Sequence, residues 1–467
     1  MAWAKQVEVL DPVNKIPLTI SDFSSGLHVK RDATSIPDNA VSDCLNVWFD
    51  DGAPASRRPG YIRWSSGDIS SRAIRTIFPW ERSNGTRVIV VGVRNTGGGG
   101  TNEAWQFDEA GAAGGAAITG GTGFTTTYEM EFMAALDHAY MANGADALQR
   151  YDGTTMLAAG VDGTGAGGGG SATRPSAPTT ALAAGGSIPA GTYQHSVSFV
   201  YGSRGESWYG TEGTARTTAA GNLQIDLSVI PLGPTGCTAR RIYRRDTAAT
   251  TNPAVFVGEL SDNTTTIFSD TNAQLDNARR GRNASAIPPV HRYPYFHKNR
   301  ALYLWPTGDR SRFWWSELRT PDIVLTASSD YVSRDDGQDI TGGASFRDRF
   351  VFFKSRSVYV LEGDGPSDWR TYPISRTIGC SHNRSIQVTP RGVIFMGQEG
   401  FWLFDGVGLK FLSDAIEPDF KNILQGWNDS GLMEWTTMSD FSTSGSTGGI
   451  GGAGLGVGTA ASNFVSD

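Results

Sequence analysis

The chain has 467 residues, 19% of them charged, with 59 glycines and a formal net charge of −7. This length allows several domains or one large β architecture. The glycine and aromatic content, with 13 Trp and 22 Phe, fits a turn-rich β protein better than a helical one. The acidic balance argues against a general nucleic-acid coat, though not against DNA passing along a non-adhesive wall.

In chain order, the opening MAWAKQVEVLDPVNKIP has no long apolar core and so does not read as a secretory signal. IPDNAVSDCLNV (36–47) predicts about two helical turns, with Pro37 suited to the first helical position. Two hairpins follow, NGTRVIVVGVRNTGGGGTNEAWQFDEAG (84–111) and ALDHAYMANGADALQRYDG (135–153). Each has a polar residue, a short apolar strand, a turn, and a second strand containing aromatics, residue types that suit a pleated half-buried surface.

Residues 157–287 are of a different kind. The linker GTGAGGGGSATRPSAP is flexible and then stiffer. Beyond it, Tyr193, His195, Val197 and Phe199 alternate with Gln194, Ser196 and Ser198, the period of a strand. ARRIYRRDTA and AVFVGELSDNTTTIFSDTN add three more strands at similar spacing. Residues 174–284 therefore predict a small β-sandwich of immunoglobulin or fibronectin type III kind, inserted at an exposed loop.

The hairpin pattern then resumes in FHKNRALYLWPTGDRSRFWWSE (296–317), SFRDRFVFFKSRSVYVLEGD (345–364) and RGVIFMGQEGFWLFDGVGLKFLS (391–413). In the last, Gly397 and Gly400 bound a tight reversal, and Phe401, Trp402 and Phe404 are expected packing groups. Two copies close on the same corner, Tyr151-Asp152-Gly153 and Phe404-Asp405-Gly406, and a third ends on Glu362-Gly363-Asp364. Each hairpin predicts the middle of a four-stranded blade, and the even spacing favours a β-propeller over an irregular sandwich with many hairpins. SDAIEPDFKNIL (413–424) predicts a second short helix with Ile416, Phe420, Ile423 and Leu424 on one face. The Gly-rich end reads as a tail rather than an anchor, since no run of about 18 apolar residues exists to span a membrane.

Chemistry-bearing motifs are few. Gly163-Gly165-Gly168 and Gly449-Gly451-Gly454 match GxGxxG, but neither follows a buried strand or opens a helix. There is no Walker A, HExxH or GxSxG motif. Cys44, Cys237 and Cys380 are dispersed, with no CxxC pair and no zinc spacing. They suggest a reducing compartment, and Cys380 beside His382 reads as a buried structural cysteine. Asp330, Asp335, Asp336 and Asp339 crowd one loop without EF-hand spacing and read as a solvated turn. Three basic clusters could touch phosphate: Arg57-Arg58, Arg240-Arg241 with Arg244-Arg245, and Arg279-Arg280 with Arg282. The second reads as a solvated strand face. No catalytic, cofactor-binding or metal-ligating residue is therefore assigned, no cofactor is implied, and the chain is not expected to be an enzyme.

The N-terminal stretch FSSGLHVKRDATSIPDNAVSDCLNVWFDDGAPASRRPGYIRW resembles the opening of a set of tailed-bacteriophage virion proteins. The residues that carry this are Phe23, Gly26, Leu27, Pro37, Asn46, Val47, Asp51, Gly52, Arg58, Pro59 and Gly60. GTYQHSVSFVYGSRGES with ARRIYRRD, and SVYVLEGDGPSDWRTYPISRTIGCSHNRSIQVTPRGVIFMGQEGFWLFDGVGLKFLSDAI, are similar to the same family, so the likeness covers most of residues 18–425. It implies a tail nozzle, also described as a packaged-DNA stabilisation or tail tubular protein, built on a propeller and located in the virion after assembly in the host cytoplasm.

The partners it implies are five further copies in a homo-hexameric ring, the adaptor or head-to-tail connector, tail fibres or spikes, and the phage genome in the lumen. A tail-tip or host-attachment component of a long-tailed phage, or a glycan-binding or glycan-degrading propeller, are the alternatives. The expected organisation is an N-terminal arm with closing strands (1–66), first blades (67–173), the inserted sandwich (174–284), further blades (285–425) and a Gly/Ser-rich tail (426–467). Beyond Ile416 the chain departs from the family, which continues through a further blade. The arm is expected to supply the missing strands.

Overall fold

The computed structural model describes residues 72–95, 100–109, 115–160 and 175–418, apart from 203–204, 235, 282–286 and 335. Nearer the N-terminus it describes 5–7, 18–20, 23, 25–44, 47–48, 56–57, 60 and 69. These residues are all-β with almost no helix. Their strands form many small antiparallel sheets and one short parallel pair. Two compact units are defined, one of residues 1–64, 341–362 and 370–467, the other of 65–340 and 363–369.

Five sheets have four strands each, in simple chain order. The first runs Arg72–Glu81, Arg87–Asn95, Asn102–Asp108, Ala116–Ala117. The second runs Glu131–Ala135, His138–Ala142, Gln149–Tyr151, Met156–Ala158. The third is His291–His297, Arg300–Pro306, Arg312–Trp315, Ser329–Tyr331. The fourth is Ile340–Phe346, Arg349–Lys354, Val358–Glu362, Arg370–Ser375, and the fifth Gln387–Thr389, Gly392–Met396, Phe401–Phe404, Leu409–Phe411. Each of the five hairpins read from the sequence supplies the two inner strands of one sheet. Inner strands are the legible ones because both their edges are paired and their side chains are most fully buried.

The fifth sheet shows why the pattern works. Val393 pairs with Phe404 and Phe395 with Trp402 across the hairpin. Val393, Phe395 and Phe404 are fully buried beside Val351, Phe353, Val358 and Val360 of the fourth sheet, while Trp402 packs on that core from a half-buried position. The Phe353 and Phe395 rings lie 4.8 Å apart. The reversal is closed by Gly397 N–H donating to Gly400 O at 2.8 Å. Gly400 has φ of 145°, and a Cβ there would come within 2.2 Å of Ser413 Oγ.

The repeated Asp-Gly corner joins the third strand of a sheet to the fourth. Asp152 Oδ1 accepts the N–H groups of Thr154 and Thr155 at 2.8 and 2.9 Å. Asp405 Oδ1 accepts those of Val407 and Gly408, both at 3.0 Å. At the third copy the acid is displaced along the chain, and Asp368 accepts from Asp364 and Gly365. An Asp side chain that closes its own turn in this way explains the recurring residue.

Residues 175–281 form two further sheets. One is Thr179–Ala183, Gln224–Ser228, Phe268–Asp270; the other, in order, is Arg216–Thr218, Gly191–Val200, Ala239–Asp246, Val255–Leu260, Asp276–Arg280. Ile225 and Leu227 of the first share a core with Tyr193, Val197, Ile242 and Val257 of the second.

Two sequence expectations resolve differently, and the second helix is seen only at its start. Residues 36–44 make a turn and a strand, not a helix: Ala40 N–H donates to Pro37 O, and Ala40–Val41 pairs with Gly26–Leu27. Pairing with Gly26–Leu27 replaces the internal bonds a helix would have needed. At 413–424 the described part is a 3-10 turn, Asp414–Ile416, followed by α-helical residues 417–418; Phe420, Ile423 and Leu424 lie outside the described residues. Among the described residues the N-terminal strands pair only with one another, and the fifth sheet draws all four strands from 387–411. The arm instead reaches residues just beyond that sheet. Val29 and Lys30 N–H both donate to Ala415 O, and Lys30 Nζ pairs with Asp414 and Glu417.

Candidate interaction surfaces

The strand Ala239–Asp246 is internal, paired on both sides, and its arginines are not a solvated face. Arg240 and Arg244 are buried, and each of the four meets a carboxylate. Arg240 pairs with Asp262, Arg241 with Glu206 and Glu259, Arg244 with Asp270, and Arg245 with Glu212. A central strand has no wet edge, so a guanidinium there needs a fixed acceptor.

Asp270 is the most enclosed of these acids. It accepts from His195 Nε2 at 2.9 Å and Arg244 Nη1 at 2.8 Å. Burial alone would raise its carboxyl, but the His195 hydrogen bond and the Arg244 charge hold it below the usual range. These arginines are engaged by internal carboxylates, which leaves them poorly placed for phosphate.

A second arginine-rich feature lies on the third four-stranded sheet, where guanidinium groups and aromatic rings alternate. Arg310 sits 4.2 Å from the Trp305 ring centre, Arg292 lies 5.6 Å from Trp305 and 4.6 Å from Tyr128, and Tyr128 meets Trp305 edge-on at 5.1 Å. Arg312 covers Trp314 at 4.5 Å, and Arg334 covers Tyr331 at 4.7 Å. Such pairs are worth about 0.5–1 kcal/mol each at exposed sites.

Trp305 adopts φ of 59°, a conformation that costs a bulky residue on the order of 1–3 kcal/mol. Packing over-determines it. Gly144, itself at φ of 73°, lies so close that a Cβ would come within 3.2 Å of Trp305 Cζ3 and 3.1 Å of Tyr128 Cδ2. Arg310 and Arg334 are exposed, and Arg310 also pairs with Asp339 at 3.2 Å. The result is a rigid amphipathic array of Trp, Tyr and Arg, the residue types that anchor protein interfaces. Its members come from residues 128, 292, 305, 310, 312, 314, 331 and 334, far apart in the chain, and they meet only through strand pairing and ring contacts in the folded protein.

The other sequence candidates fall apart as chemical groups. Cys380 is buried, its Sγ donates to His382 O at 3.2 Å, and burial pushes its thiol up to about 11. His382 Nδ1 accepts from Arg384 N, capping the turn Asn383–Ser385. Both residues are structural at this site.

In the acidic loop, Asp330 accepts Tyr331 N–H, Asp336 accepts Gln338 N–H, and Asp339 pairs with Arg310. Asp335 lies outside the described residues, and no cluster of three metal-ligating side chains occurs among the described ones. Arg57 is exposed and Arg279 stacks on Phe256 at 4.6 Å. Arg58, Arg282 and both GxGxxG stretches lie outside the described residues. No helix among the described residues is long and apolar enough to cross a membrane.

Fold and surface together define an all-β protein of small antiparallel sheets. No protein-family model matches the chain, and no curated protein matches it. Among solved structures it is similar to the extracellular domain of a one-component system of B. thetaiotaomicron, at 13% identity over 88% of this chain and 46% of that one, with a TM-score of 0.31. It is also similar to the WD40 domain of Neurospora crassa Pan2, at 10% identity over 73% and 78% of the two chains, TM-score 0.29. A third similarity is to an α-L-arabinofuranosidase of Fusarium graminearum, at 12% identity over 69% and 88%, TM-score 0.19. The chain spans less than half the length of the first.

Proposed function

We propose that this chain is a structural virion protein of a tailed phage, a nozzle subunit. It forms a ring at the tail that extends the DNA channel, helps retain the genome and supports fibres. In this reading the five four-stranded sheets are propeller blades, and residues 175–281 are a fibronectin-type sandwich inserted between two of them. The supporting observation is the agreement between family-like segments and architecture. GTYQHSVSFV and ARRIYRRD, which carry part of the resemblance, are neighbouring strands of one sheet, with Tyr193 opposite Asp246 and Val200 opposite Ala239. That sheet and its partner lie in the sequence between the second and third four-stranded sheets.

A ring subunit works through rigid modules and fixed contact surfaces. The Trp305–Arg310 array supplies the second requirement, being rigid and rich in interface-type residues. The ring partners are further copies of the chain, the adaptor above and fibres or spikes around it, with the genome in the lumen. Genome retention in this reading depends on a constriction rather than on many phosphate contacts.

The test is cryo-electron microscopy of assembled particles with antibody labelling of the chain. A closed ring on the tail axis is expected. A chain found only as a peripheral monomer, or away from the axis, would sink the reading.

A further inference from the structure

The arginines of the third sheet differ in what answers their charge. Arg310 has a carboxylate, Asp339. Arg292 and Arg312 have none among the described residues; Arg312 donates from Nη2 to Ser329 Oγ, and Arg292 donates no hydrogen bond to a described residue. Three rings surround the Arg292 guanidinium, with centres at 4.6 Å for Tyr128, 5.1 Å for Tyr293 and 5.6 Å for Trp305. Its Nε is buried without a partner, so Nη1 and Nη2 are the nitrogens that can reach an acceptor from outside. The stem of the side chain is confined as well, since a Cβ on Gly144 would come within 3.3 Å of Arg292 Cβ.

A guanidinium stripped of part of its water and left without an anion is costly, and ring contacts offset only part of that cost. Elsewhere in the same compact unit enclosed arginines take carboxylates, Arg72 that of Glu103, Arg94 that of Glu129 and Arg245 that of Glu212. Arg292 is built like these and lacks the acid. Nη1 and Nη2 form the planar end of the fork, which binds a carboxylate or phosphate through two parallel hydrogen bonds. The rings already hold the group in place, so little side-chain entropy is left to lose on docking.

The surroundings choose between sources of that anion. Trp305 is buried under Arg310, and Arg312 covers Trp314, which leaves a base or a sugar poorly served for stacking. Asp330 and Asp339 are exposed beside the array. Together with the net charge of −7, they oppose a continuous phosphate chain. A single carboxylate on a protein surface of mixed charge meets no such barrier. We propose that Arg292 receives the carboxylate of a Glu or Asp side chain from a partner protein through its Nη1–Nη2 fork, with Arg310 beside it on the same Trp305 ring. The inference rests on the reading of this array as a contact surface and gives that surface its partner's chemistry.

The test uses the full chain at low salt, with fluorescein-labelled octaglutamate as the probe and fluorescence anisotropy as the readout. Arg292→Lys keeps the charge but loses the fork, and is expected to weaken binding about tenfold. Arg370→Lys, at an exposed arginine of the fourth sheet, is expected to leave binding unchanged. In the wild type, octaglutamate is expected to shield Arg292 from phenylglyoxal, read by mass spectrometry, a measurement that needs no variant to fold. Absence of shielding, or equal binding by Arg292→Lys, overturns the proposal. Octathymidylate that shields Arg292 at lower concentration than octaglutamate overturns the protein assignment in favour of phosphate. Ring-bearing particles in which Arg292 stays open to phenylglyoxal sink this contact and keep the ring. A chain that forms no ring, yet is shielded at Arg292 by octaglutamate, does the reverse.

Discussion

The five-stranded sheet within residues 175–281 and the shared core of the fourth and fifth sheets bury different materials on their central strands. The strand Ala239–Asp246 carries four arginines, two of them buried, and each is answered by a carboxylate from another segment, Asp262, Glu206, Asp270 or Glu212. The strands Arg349–Lys354 and Gly392–Met396 instead bury Val351, Phe353, Val393 and Phe395 in an apolar cluster with Cys380. An apolar core is tolerant of shape changes that conserve volume. A buried ion pair is intolerant of losing one partner, yet it is often replaceable as a whole. Both regions have an apolar core; the difference is that the strand Ala239–Asp246 adds buried charges, each of which must keep its partner.

The largest expected effect breaks the packed side. Phe353→Ala removes a fully buried ring packed at a tilt against Phe395 and is expected to cost about 4 kcal/mol in denaturant unfolding. A loss below about 1 kcal/mol would show that the two sheets do not share a tight core. On the ionic side, Arg244→Met removes the guanidinium that pairs with buried Asp270 and is expected to cost about 3 kcal/mol. Adding Asp270→Asn should recover part of that loss, whereas no second polar change should rescue Phe353→Ala. Equal stability of the single and double variants would refute the matched-charge account.

The third expectation concerns acid. His291 is fully buried, its ring centre lies 4.5 Å from that of Tyr303 at a tilt, and burial pushes its imidazole down to about 4 from 6.5. Its folded value lies below its unfolded value, so below pH 6.5 the unfolded chain takes up a proton that the folded chain refuses. The stability this group contributes is full above about pH 6.5 and is lost as pH falls towards 4, by up to about 3 kcal/mol. Thermal melts across that window should show the slope, and His291→Gln should flatten it. An unchanged slope would mean that His291 opens to solvent.

Much of the sheet pattern was legible in the residues. All five inner hairpins and the Asp152 and Asp405 corners follow from period-two alternation and turn chemistry, which act over a few neighbours. The candidate surface was not legible. The alternation in ARRIYRRD identifies a strand but cannot say whether its edges are wet, so the arginines looked solvated. Residues 36–44 had a helix-like start, but Ala40–Val41 found a parallel partner in Gly26–Leu27.

By itself, the sequence determined where this protein makes most of its strands and turns, because those depend largely on side-chain sterics and local hydrogen bonds. Only the tertiary structure decided which arginines are buried, that Trp305 is wedged under Gly144 at a positive φ, and that Arg292 lies among Tyr128, Tyr293 and Trp305. Those outcomes depend on pairing between segments far apart in the chain. The free energy of a charge or an aliphatic group is set by what surrounds it, and the neighbours along the chain are the smaller part of that surrounding.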